Sequence, residues 1–153
     1  MKKALSLLLA LVLCLSLCAC GKDYSKHQFD FLGDDFSWDM TEEEAYEYIS
    51  KHQLIRNEIE KTRYDTWTTI TDDMYVFRFD KKGKIDFVNY YMGSDTGMVS
   101  ILKEWYGEYD KYESKLDKYI WYGTMSGRNV EMTFYTITSS IDNDQCWLQF
   151  VLE

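Results

Sequence analysis

Residues 74 to 91, MYVFRFDKKGKIDFVNYY, place two strand-like runs on either side of a short charged link. In the first run Tyr75, Phe77 and Phe79 alternate with Met74, Val76 and Arg78, the two-residue period of a strand with one face buried. Gly83 inside DKKGK favours a tight reversal. A parallel crossover needs a dozen or more residues, so a link this short forces its two strands to pair antiparallel. With Tyr64 to Ile70 ahead of them, Met74 to Phe79 and Lys84 to Tyr91 make a three-strand meander.

Two helices punctuate the strands. Thr41 and Glu44 have the spacing of a capping box, which starts a helix over Glu42 to His52 with Ala45, Tyr48, Ile49 and His52 on one face. Its triple glutamate matches the positive end of the helix dipole, so it reads as a solvated first turn and not as a cation site. A second helix lies in SDTGMVSILKEWYGEYDKYESKL, capped at Ser94 or Asp95, with Met98, Val99, Leu102, Trp105 and Tyr106 at helical spacing and Gly107 ending or bending it. Residues 119 to 125, 129 to 137 and 145 to 152 read as three further strands, with a turn at 126 to 128 and a loop at Asp142 to Asp144. The expected class is α+β in the order α-β-β-β-α-β-β-β: an antiparallel sheet of about five or six strands with two helices packed on one face. Ile49, Phe77, Phe79, Phe87, Leu102, Trp105, Phe134, Leu148 and Phe150 form the expected core. The opposite sheet face would carry Trp67, Tyr90, Tyr122 and Tyr135, a candidate interaction surface whose assignment a one-residue slip of register would invert.

The amino terminus sets the expected location. Lys2 and Lys3 precede an uncharged apolar run from Ala4, the build of a secretory signal. An uncleaved membrane helix is the competing reading, since the run is near the minimum length for a span. Leu17-Cys18-Ala19-Cys20-Gly21 resembles the bacterial lipobox, with Cys18 where Ser or Ala is more usual. That resemblance implies a signal peptide over residues 1–19 and lipidation of Cys20. Residues 20–35 would then be the lipidated cysteine and a tether, although Phe29, Phe31 and Leu32 are apolar enough to dock on the domain. Residues 36–153 are expected to form a single domain.

Composition narrows the chemistry. Cys14 and Cys18 would leave with the signal peptide and no His or Cys follows at ligand spacing, so no metal site is expected. Cys146 alternates with Leu148, Phe150 and Leu152 and reads as a buried inert thiol. The formal net charge of −9 deepens on loss of Lys2 and Lys3, which argues against nucleic acid and against adsorption to an anionic bilayer. His27 and His52 are the two histidines, and neither stands in a nucleophile context. Asp142 to Asp144 lacks the Gly and terminal Glu of a calcium loop, and the scattered glycines form no phosphate loop. No catalytic residue and no cofactor is expected.

FSWDMTEEEAYEYI, YVFRFDKKGKIDFVNYY and LKEWYGEYDK resemble phrases of the BamE-like (SmpA/OmlA) lipoproteins, with Asp39 where Gly is common, Ala45 where Val is common and no proline after the last phrase. The implied fold is also similar to that of the β-lactamase-inhibitor proteins. The resemblance implies a domain that works by binding proteins. The expectation is a lipid-anchored protein on the extracytoplasmic face of the cell membrane, held in the bilayer through acylated Cys20. Its expected role is non-catalytic binding or scaffolding towards an envelope protein. The alternative is a module that stacks exposed aromatics on cell-wall or exopolysaccharide sugars, marked by amides or carboxylates beside the rings instead of a continuous apolar patch.

Overall fold

The computed structural model describes residues 21–52, 58–65, 67–72, 74–94, 97–138 and 144–153. Residues 1–20, with the expected signal peptide and Cys20, and Asp95 and Asp142 lie outside the described residues. The chain is α+β. Its strands are β1 (His27–Gln28), β2 (Glu60–Arg63), β3 (Thr68–Thr71), β4 (Tyr75–Phe79), β5 (Ile85–Gly93), β6 (Lys111–Glu113), β7 (Lys118–Met125), β8 (Arg128–Thr138) and β9 (Asp144–Leu152). Among the described residues the helices are α1 (Glu42–His52), between β1 and β2, and α2 (Met98–Tyr106), between β5 and β6.

All nine strands join one sheet in the order β1-β7-β8-β9-β5-β4-β3-β2, with β6 also on the outer edge of β7. The pairs are antiparallel except β1 with β7. The sheet is therefore larger than the expected five or six strands. The additions are short edge pieces: β1 and β6 are two and three residues long, and β2 is an exposed EKTR segment whose charges blunt the sheet edge. The strand expected from Tyr64 begins only at Thr68, because Tyr64 donates its N–H to the Trp67 carbonyl in the turn between β2 and β3.

One sheet face carries the core, where Phe77, Phe79, Trp121, Phe134, Leu148 and Phe150 are each at most 1 % exposed. Both helices cover this face. The capping box of α1 forms as its spacing requires, with Glu44 Oε2 accepting from the Thr41 N–H at 2.8 Å and Thr41 Oγ1 accepting from the Glu44 N–H at 3.2 Å. α1 buries Ala45, Tyr48 and Ile49. α2 begins instead at Gly97, with no side-chain cap, and ends at Gly107, whose φ of 83° suits a residue without Cβ. Cys146 is fully buried, in keeping with an inert thiol.

The core expectation needs two corrections. Trp105 is 58 % exposed, because Leu102 takes the buried position of the nine-residue α2 and Tyr106 packs beside it. Phe87 stands on the other sheet face. Phe79 pairs with Ile85 but Arg78 pairs with Phe87, so two residues of β5 oppose one of β4 and the alternation inverts at this bulge.

The segment expected as a tether is built into the body. Lys22 bonds Glu153 at 2.6 Å and Glu131 at 3.3 Å, and His27 and Gln28 pair with Gly123 and Thr124. Phe29, Leu32, Phe36 and Trp38 are at most 3 % exposed, so the apolar residues dock, as their sequence allows. Asp110 is the polar clasp of this segment. It accepts the Tyr122 N–H at 2.8 Å and the Lys26 ammonium at 3.0 Å, and its other neighbour is His27 Nε2 at 3.2 Å. Burial alone would push the Asp110 carboxyl up, but these hydrogen bonds and the nearby His27 and Lys26 hold it below the ordinary carboxylate range. A depressed folded value means that its contribution to stability is complete above about pH 4 and is lost as pH falls through the folded value. Acidification from pH 5 to pH 2.5 is therefore expected to expose residues 22–29 to hydrogen exchange ahead of β8 and β9. Asp110→Asn removes this early step. Simultaneous exchange of all three segments in the wild type would contradict the clasp.

Candidate functional site

The second sheet face presents the residues that alternate with the core. Direct cross-strand pairs order them: Phe87 beside Val151, Asn89 beside Gln149, Tyr91 beside Trp147, and then Gln149 beside Thr133 and Trp147 beside Tyr135. Among the described residues neither helix covers this face. The turn at 114–117 rises over its β7 end, and a groove of about 560 Å³ runs between Leu116, Lys118, Tyr135, Ile137 and Gln149.

The centre of the face is aromatic and amide-bearing. The Tyr91 and Trp147 rings stand 5.1 Å apart between centroids. Asn89, 9 % exposed, donates from Nδ2 to the Tyr135 hydroxyl at 3.2 Å. Two polar atoms here are buried with no hydrogen-bond partner, the Asn89 Oδ1 acceptor and the Trp147 Nε1 donor. A buried unpaired group of this kind costs roughly 1–3 kcal/mol, so the face carries an unmet demand for one donor and one acceptor. Burial raises the Tyr135 hydroxyl above its ordinary range, against the lowering effect of the Asn89 contact. Burial and then Glu131 raise Tyr122. These phenols stay protonated at neutral pH and act as hydrogen-bonding groups. Towards the β4 side Arg78 closes the patch, bonding Asp86 through Nε at 2.8 Å and lying 4.8 Å over the Phe87 ring.

The four residues expected to share an interaction surface separate into three places. Tyr122 and Tyr135 do lie on this face. Tyr122 is partly covered by the amino-terminal segment, with Tyr24 against its edge and Lys22 Nζ 5.0 Å over the ring. Tyr90 is turned to the core, 4.8 Å from Tyr75 and 5.1 Å from Phe31 between ring centroids, because the bulge that expels Phe87 also draws Tyr90 inward. Trp67 sits in the hairpin turn at the far edge, its ring tilted against Tyr64 at 5.3 Å between centroids. Asn89, Tyr91, Trp147 and Gln149 were not among the expected residues. The signal for Trp147 and Gln149 was present, since the burial of Cys146, Leu148 and Phe150 places the residues between them on the opposite face.

The histidines lie elsewhere. His27 Nδ1 donates to the Tyr106 carbonyl at 2.6 Å, and His52 Nε2 is 3.0 Å from Asp35. No group of three or more metal-ligating side chains occurs among the described residues, and no described helix is long and apolar enough to cross a membrane. No family model, curated protein or solved structure matches the chain.

Proposed function

We propose that this chain is an extracytoplasmic bacterial lipoprotein, anchored through acylated Cys20, that binds an envelope protein without catalysing a reaction. The observation that carries the reading is the uncovered sheet face, where Tyr91, Trp147 and Tyr135 surround two unpartnered polar atoms. Tyr and Trp are favoured anchors of protein interfaces because each offers a large rigid apolar area and a hydrogen-bonding tip. Docking of the chain from Lys22 onward supports a close mounting. Cys20 and Lys22 are separated by at most roughly 7 Å of chain, so an acyl anchor would hold the domain beside the bilayer.

The amides among the rings also favour the glycan-binding alternative, because Asn89 and Gln149 could bond hydroxyl groups of a sugar stacked on Trp147. Two measurements separate these readings. Labelling with an alkynyl fatty acid should modify the wild-type chain and not Cys20→Ala; equal labelling would remove the anchor. Affinity purification of the full lipoprotein should then recover one recurrent protein, reduced at least tenfold by Trp147→Glu and unchanged by Tyr46→Glu on α1. Equal recovery with both variants would overturn the assigned face, and retention on wall polysaccharide lost only with Trp147→Glu would establish the glycan reading.

A further inference from the structure

Resting on that reading, we infer that Asn89, Tyr135 and Trp147 form a subsite for one secondary amide group, supplied by the main chain of the bound protein. The two unpartnered atoms have opposite polarity: Trp147 Nε1 can only donate, and Asn89 Oδ1 can only accept. A peptide unit offers the complement, one carbonyl and one N–H in a rigid plane. A hydroxyl would satisfy the same atoms only in one rotor setting. A carboxylate or an ammonium would satisfy one and oppose the other.

The three residues are held together by the sheet register. Asn89 and Trp147 are diagonal neighbours on paired strands, and Tyr135 stands directly across from Trp147 while bonding Asn89 Nδ2. In this arrangement the Asn89 amide donates to Tyr135 and turns its oxygen away from that hydroxyl. Both orphan atoms are shielded from water in the present arrangement, so an incoming amide reaches them as the Trp147 ring lifts from the sheet. Gln149 and the groove beside Lys118 and Ile137 continue from this point and would carry the flanking residues of an extended segment.

The acetamido group of an N-acetylated sugar has the same chemistry, and the test separates the two sources. The soluble domain from residue 21 is titrated with N-acetyl-alanine N-methylamide and with chitotriose, each followed through the indole N–H resonance of Trp147, which is identified by its loss in Trp147→Phe. The capped alanine is expected to shift that resonance downfield to saturation, and Asn89→Leu to weaken binding about tenfold, the loss of one hydrogen bond. Asn89→Leu should melt close to the wild type, since removal of the unsatisfied Asn89 oxygen offsets loss of the bond to Tyr135. If that variant does not fold, Asn89→Asp, which keeps the acceptor, should still bind the probe. Chitotriose binding at least tenfold tighter than the capped alanine would overturn the main-chain source. A Trp147 resonance unmoved by both probes, or moved equally in Asn89→Leu, would overturn the subsite. Binding of the capped alanine with no protein recovered in cells would refute the envelope-partner reading and leave the subsite standing.

Discussion

Replacing Gly123 with valine is expected to release the amino-terminal segment and to cost the domain about 3 kcal/mol. Gly123 lies on β7 where β1 crosses it, and a Cβ there would stand 2.5 Å from the His27 carbonyl oxygen and 2.8 Å from two carbons of the Phe29 ring. The first of these atoms is backbone, so relief requires β1 to leave its pairing. Overpacking of this kind costs about 1–3 kcal/mol, and exposing Phe29, which is 3 % exposed in place, forfeits roughly 1.5–3 kcal/mol of burial. The two are alternatives in part, since expulsion of the ring relieves the clash. Limited proteolysis should cut between residues 22 and 36 in the variant and leave β8 and β9 intact. A melting temperature within two or three degrees of the wild type, with the segment still protected, would show that the close approach is dispensable.

Trp121→Ala is expected to lower stability by about 3–5 kcal/mol, a fall in melting temperature on the order of 10–15 °C. Trp121 is the largest fully buried side chain of the core. Its ring packs edge-on to Tyr109, and its Nε1 donates to the Gly107 carbonyl at 2.9 Å, which ties the exit of α2 to the middle of β7. Truncation leaves both a cavity and a part-buried carbonyl without its donor. Trp121→Phe separates the terms: it keeps most of the volume and should recover over half of the loss. Equal melting of the two variants would mean that the hydrogen bond, and not the packing, secures this corner.

The parts of the fold legible in the sequence were those set by local pattern. The Thr41 and Glu44 spacing marks α1 to the residue, and the alternation of Cys146, Leu148 and Phe150 places β9 and its inner face. What escaped depends on pairing between distant segments. In IDFVNYY the apolar phase shifts by one residue at the adjacent Phe87 and Val88; in the structure Asp86 and Phe87 both oppose Arg78, and that bulge exchanges the faces of Phe87 and Tyr90. Two adjacent apolar residues are a weak local trace of a bulge; Asp86 bonding Arg78 is visible only once β4 and β5 are paired. β1 was hidden for a similar reason, because a two-residue strand is created by the vacancy at Gly123 and by the burial of Phe29. Asn89 was missed because a single amide in a strand has no motif. Its meaning comes from an unpaired oxygen next to Trp147 and Tyr135.

The uncovered sheet face is the proposed binding face. Photo-crosslinking in cells, from probes placed singly at positions 91, 135 and 147 of the full-length protein, tests it most directly. The prediction is one recurrent protein adduct from these three sites and none from positions 46 and 105, which are exposed on the two helices. Adducts from 46 or 105 with none from 91, 135 and 147 would place the partner on the helical side and contradict the account.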